Sequence, residues 1–240
     1  MVVQHVWTPS VAADIFGVGY ESQGDIQVDG RQPTPAEFGP VRELLTVASL
    51  CNDATLRPPQ GRAADEDQWT AIGDPMEAAL LAAAAKAGCA DQAELRRLYP
   101  RTWEAPFDSL RKRMSTVHRM ASGDLLVCLK GAPEVVLDAT VLADRKDVLM
   151  GARQQAAILA SRGFRVLAVA STECRNEPNS ATTVETGLRL LGLVAISDPP
   201  KSAAATPSLP GRSAHTKRSP GNEGREGEAM RLVRVRQETD

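Results

Sequence analysis

Residues 111–130 constrain this chain most. RKRMSTVHR alternates polar and apolar side chains, ASGD turns, and LLVCLK runs back as an apolar segment. Two β-formers joined by so short a glycine-containing turn pair as an antiparallel hairpin. Helical periodicity surrounds that hairpin. Residues 40–53 place Val41, Leu44, Leu45, Val47, Ala48, Leu50 and Cys51 on one broad apolar face. Residues 74–88 carry a full set of helix signals: Asp74 as N-cap, Pro75 at the first helical position, Glu77 at the third and Gly88 as the stop. Further helices are predicted over 91–99, 132–140 and 147–163. Strands are predicted over 2–8, 164–172 and 187–197, with a turn and strand over 17–28 and a polar loop over 57–69. The expected class is α+β, a mainly antiparallel twisted sheet flanked by helices.

Composition removes several function classes. With 42% hydrophobic and 24% charged residues, the chain can bury an ordinary core. A net charge of -2 argues against a phosphate-neutralising nucleic-acid surface, and 4% aromatics against a base-stacking platform. No run of about 18 apolar residues spans a bilayer, and the first residues do not read as a secretory leader. A cytoplasmic protein without direct membrane insertion is expected. Cys51, Cys89, Cys128 and Cys174 are widely spaced and read as small buried hydrophobes. His5, His118 and His215 are scattered, so no tightly bound metal is expected. Residues 201–240 hold few large apolar side chains and eight Lys/Arg against five Asp/Glu. They read as a disordered tail after a domain over 1–200.

The familiar phosphate loop GxxxxGKS/T, a GxGxxG turn after a strand, a GxSxG elbow, HExxH and an EF-hand loop are all absent. Three segments remain. In the first, Phe107 precedes Arg111, Lys112 and Arg113, an aromatic face beside cations that suits a nucleotide; an edge strand guarded by charges, with Phe107 in the core, explains the same residues. In the second, Lys130 ends an apolar run and Gly131 follows, where a missing Cβ lets a ligand approach; Lys130 reaching for solvent is the plain alternative. In the third, Glu77 can bond an adenine amino group or complete a capping box with Asp74.

In chain order, VWT…GVGYESQGDI, ASLCNDA, IGDPMEAAL, PFDSLRKRMS, LKGAPEVVL, RGFRVLAVA and LGLVAISDPP resemble the nucleotide-binding (N) domain of P-type cation-transporting ATPases, over essentially residues 2–200. The GY..QG and GDPxE pattern is similar to the type II branch; the His-Pro motif of the heavy-metal branch is absent. The resemblance implies that Phe107 stacks on adenine, that Lys112 and Lys130 line the adenine and phosphate region, and that Glu77 faces the adenine edge. It implies that Gly131 lets the base lie close and that Arg165 reaches the phosphates. Ser109 stands where some relatives supply an arginine.

The ligand implied is ATP, as Mg-ATP, and the partner implied is the haloacid-dehalogenase-like phosphorylation (P) domain of a parent pump. In the family the N domain is inserted in the P domain, so the ends near Val2 and Ile196 are expected to pair. The family's DKTGT aspartate lies upstream of a stretch like MVVQHVWT, and TGD and GDGxND motifs follow the return hinge, here DPPK with Lys201 in place of the usual arginine. None of those three motifs occurs in these 240 residues. Phosphoryl transfer needs nucleophile and metal aligned on the γ-phosphate, so the expectation is nucleotide binding without autonomous turnover. The tail reads as the mark of a truncated or frame-shifted product. A folded module that has lost nucleotide binding, or a degenerate gene fragment, is the alternative; a stand-alone hydrolase lacks an activated nucleophile.

Overall fold

The predicted hairpin forms. β7 (Arg113–Arg119) returns as β8 (Leu125–Gly131), in register from Arg113↔Gly131 to Arg119↔Leu125. A computed structural model describes residues 1–59, 69–176 and 180–198. The predicted tail 201–240, the hinge residues Pro199, Pro200 and Lys201, and most of the predicted 57–69 loop lie outside the described residues. The other strands are β1 (Val2–Trp7), β2 (Ala12–Phe16), β3 (Asp25–Gln27), β4 (Thr55–Arg57), β5 (Thr70–Ile72), β6 (Arg101–Asp108), β9 (Arg165–Cys174) and β10 (Arg189–Ser197). The helices are α1 (Pro35–Leu50), α2 (Pro75–Lys86), α3 (Gln92–Leu98), α4 (Pro133–Val136), α5 (Lys146–Ser161) and α6 (Ala181–Val184).

Eight strands form one sheet in the order β3-β2-β1-β10-β9-β8-β7-β6, every neighbouring pair antiparallel, and β4 and β5 form a separate pair. The expected α+β class is therefore correct. The chain enters and leaves through the middle of the sheet: Val3 pairs with Ile196 and Val2 with Ser197.

Both sheet faces are covered, so the central strands are apolar on both sides. One face packs Cys128, Val169, Val194 and Ile196 against α1, α2 and Leu95 of α3. The other packs Leu125, Val127, Leu129, Ala168 and Ala170 against α4, α5 and α6. On β10 the alternation slips at a bulge between Leu190 and Gly192. Gly192 has φ +152°, and a Cβ there would lie 2.0 Å from the Trp7 carbonyl oxygen. Only glycine lets β10 pass that close to β1.

The misses have local causes. Helix α1 begins at Pro35, five residues before the predicted start. Thr34 and Glu37 form a reciprocal capping box, and Arg31 grips Glu37 in a two-point pair at 2.9 and 2.6 Å. Pro40 is tolerated inside the helix because the carbonyl it deprives of a donor, on Ala36, sits on an exposed residue where water can serve it. The sequence pattern does not show strands β2, β4, β5 and β6; β6 is the sheet edge and mostly exposed, so it lacks an apolar signature. Cys51 and Cys128 are buried as expected, but Cys89 and Cys174 are only half-buried.

On β7, His118 is 2% exposed. Its Nδ1–H donates to the Tyr99 carbonyl at 2.9 Å and its Nε2 accepts from the Thr116 hydroxyl at 2.8 Å. Both partners suit the neutral ring. Burial pushes its pKa down from 6.5 to about 4, against the pull of the Tyr99 carbonyl. Between those pH values the unfolded chain binds the extra proton, so stability falls as pH drops from 6.5 to 4. The loss from this group alone is roughly 3 kcal/mol. His118→Gln should flatten the unfolding free energy across that window, measured by urea denaturation at several pH values, and leave its slope above pH 7 unchanged.

Candidate functional site

Every predicted site residue lies at one end of the large sheet or at the start of α2. Lys130 and Gly131 close β8, Lys112 precedes β7, Phe107 is next to last in β6 and Arg165 opens β9. Antiparallel pairing brings those strand ends together. Gly131 pairs with Arg113 on one side and Ala168 on the other, and Arg165 lies three residues, roughly 10 Å, further on. The paired strand ends Val2 and Ser197 share this edge.

At its centre is a buried ion pair. The Lys130 side chain is 7% exposed, flanked in the sheet by Met114 and Val169, and its Nζ lies 2.5 Å from Glu77 Oε1. Glu77 Oε2 accepts the backbone N–H of Asp53 at 3.0 Å and of Ala54 at 3.1 Å. The Asn52 amide donates to the Glu77 carbonyl at 2.9 Å. Arg101 pins the loop that supplies those N–H groups, donating to the carbonyls of Leu50 and Asn52 and to the Asp53 carboxylate. Glu77 therefore staples α2 to β8 and to the end of α1. The capping reading fails: Asp74 caps Met76 and Glu77 N–H at 2.7 and 3.3 Å, but the Glu77 carboxylate turns to Lys130 and the 53–54 loop. Lys130 reaching for solvent fails equally.

Phe107 is on the surface, 64% exposed; the sheet edge is β6, which carries it, and not the following strand, β7, which the guarded-edge alternative takes for it. Its burial in the core is thus excluded. Arg111 and Lys112 lie in the turn, not in the strand. Lys112 has φ +51° and its Nζ lies 3.1 Å from Glu134 Oε1. Glu134 is held below the ordinary carboxylate range by its own N–H at the start of α4, then by Lys112. Arg165 pairs at 3.6 Å with Asp198, both well exposed, an interaction worth at most about 1 kcal/mol.

The structure adds a steric reason for Gly131 beside the one expected. A Cβ there would lie 2.5 Å from Arg113 Cβ and 2.7 Å from the Lys112 carbonyl oxygen. The β7 backbone already requires glycine, before any ligand does.

Glu185 escaped the sequence reading. It follows α6, is 2% exposed and receives Arg111 Nη1 at 2.6 Å, Arg113 Nε at 2.7 Å and Ser115 Oγ at 2.8 Å. Two of the three cations that follow Phe107, Arg111 and Arg113, are thus committed to it. No local pattern marks this glutamate, because its partners lie some 70 positions away. Among the described residues no cluster of three or more His, Cys, Asp or Glu could hold a metal ion, and no helix is long and apolar enough to cross a membrane.

A family model described as P-type ATPase, cytoplasmic domain N, matches residues 40–203. The chain belongs to this family. Relatives of this N domain include a calcium-transporting ATPase of Bacillus subtilis, 30% identical over 84% of the chain. A probable cation-transporting ATPase F of Mycobacterium tuberculosis is 34% identical over 86%, and the human calcium-transporting ATPase type 2C member 1 is 33% identical over 84%. The chain spans 21–23% of the length of these relatives.

Removing the Lys130 ammonium leaves Glu77 with backbone donors alone. Lys130→Met is expected to lower the unfolding free energy by about 3 kcal/mol. Adding Glu77→Gln should cost little more, with a coupling of at least about 1 kcal/mol in a double-mutant cycle by chemical denaturation. Additive losses would show that the two groups do not act as a unit.

Proposed function

We propose that this N domain binds adenine nucleotide for a cation-transporting P-type pump of the type II branch. One observation carries the reading: an exposed aromatic, Phe107, stands at the same sheet end as the buried Lys130–Glu77 pair and the exposed Lys112 ammonium. An aromatic ring open to solvent beside cations fits an adenine with its phosphates trailing away. Phe107 stacks on the base, Glu77 and Lys130 face its edge, and Gly131 keeps the floor low. Lys112 and Arg165 exchange their carboxylate partners for phosphate oxygens. Mg²⁺ arrives on the triphosphate rather than in a cage of protein ligands.

ATP supplies the phosphoryl group; the residues here hold and orient it. The nucleophilic aspartate belongs to a P domain, the proposed partner, which β1 and β10 would join as hinge strands on the cytoplasmic side of the membrane. Residues 1–200 form the domain in this reading, and they do not turn ATP over alone.

Most of the local cations already have acidic partners, so affinity should be weak, on the order of 0.1–1 mM, or about 4–5.5 kcal/mol. A heteronuclear NMR titration should move resonances at Phe107, Lys112, Lys130 and Gly131, with ATP and ADP alike and GTP weaker. Phe107→Ala should cost about 1–3 kcal/mol of binding. A dispersed spectrum that ignores all three nucleotides would favour the alternative, a folded module without nucleotide binding.

A further inference from the structure

We propose that Glu185 is a positioning residue for the nucleotide site, acting through Arg111 on Phe107; this rests on the reading that Phe107 meets the base. Glu185 is a carboxylate with a 1% exposed side chain, supplied by the segment between α6 and β10. Its three donors all come from the β6–β7 corner. A buried carboxylate is costly unless it is paired and hydrogen-bonded, and this one is.

Arg111 does more than neutralise it. One arm of the guanidinium, Nη1, donates to Glu185, while the other, Nη2, donates to the Pro106 carbonyl at 2.7 Å. Pro106 directly precedes Phe107. The planar fork thus ties the backbone beside the stacking ring to a fixed point in the core.

The corner needs that tie. The β6–β7 register breaks between Ala105 and Asp108, so the ladder does not hold Phe107 evenly. Asp108 Oδ1 accepts the N–H of Leu110 and of Arg111 at 2.9 and 2.8 Å, and Lys112 is held in the left-handed region. Phe107 and Leu110 are both exposed, so apolar packing does not anchor the corner. Arg111 and Arg113 consequently serve as struts rather than phosphate ligands, and nucleotide affinity depends on a glutamate that touches no nucleotide.

The test uses the full chain and two variants, Glu185→Gln and Arg111→Met. The second leaves Arg113 and Ser115 on Glu185 and touches a partly exposed residue, so it serves if the first does not fold. Amide hydrogen exchange without nucleotide reads the corner; ATP titration well below each variant's unfolding midpoint reads the site. Exchange at Phe107 and Lys112 should quicken while the opposite hairpin turn at 121–124 is unchanged. ATP binding should weaken about tenfold, the size of a coupled-contact effect, and Arg111→Lys should recover part of it. A purely structural role would lower the midpoint and leave the folded protein's Kd alone, and that result overturns the proposal. So does unchanged exchange at the corner. A wild-type chain that does not bind ATP sinks the nucleotide reading itself. That outcome is distinct from a wild type that binds while both variants bind equally well, which sinks only the role of Glu185.

Discussion

The buried ammonium of Lys130 is the constraint from which the site end of the domain follows. An ammonium in the core of a sheet must find an anion close by, because no water can replace one. Glu77 supplies it from the first turn of α2, and in doing so fixes where that helix meets β8. The second oxygen of Glu77 then captures two N–H groups past the end of α1, so two helices and a strand share one carboxylate. Arg101 secures the same loop from the other side. A polar network thus fixes the junction where ordinary apolar packing alone would permit sliding.

The same logic repeats along the sheet edge. Lys130 has Glu77, Lys112 has Glu134, Arg111 and Arg113 share Glu185, and Arg165 faces Asp198. The pairs differ in burial, and burial sorts them by use. Those of Lys130 and Glu185 are enclosed and strut the framework; those of Lys112 and Arg165 are open to water and cost little to exchange. An anion arriving here meets two available cations rather than five.

What could be read from residue order was what local physics decides. The 121–124 turn, the cap of α2 and its Gly88 stop all act within a few positions, and each was legible. The start of α1 was legible in principle through Thr34 and Glu37, but Gly39 and Pro40 masked it. Strand β6 carries Pro106 and exposed side chains, so its pairing is set by β7 rather than by its own pattern. At Glu77 the local rule named the right helix position and the wrong use of the side chain, because a buried lysine 53 positions away outcompetes the cap. Glu185 was illegible for the same reason. The residues that the resemblance to a family singles out gather at one sheet end and the start of α2, but it did not reveal which cations were already engaged.

The seam between β1 and β10 also sets an order of events. His5 faces Ala195 across about 190 residues of chain, whereas β7 and β8 face each other across a five-residue connection. Closing a loop that long costs conformational entropy before any contact returns it. The hairpin and its neighbour β9 can form early from nearby sequence, but the middle of the sheet must wait for its first strand to meet its last. Until then Val3, Val6, Val194 and Ile196 are uncovered β-formers at open sheet edges, the kind of surface on which chains associate with one another. Slow closure of this seam, rather than a weak core, is where such a domain would be vulnerable during its synthesis.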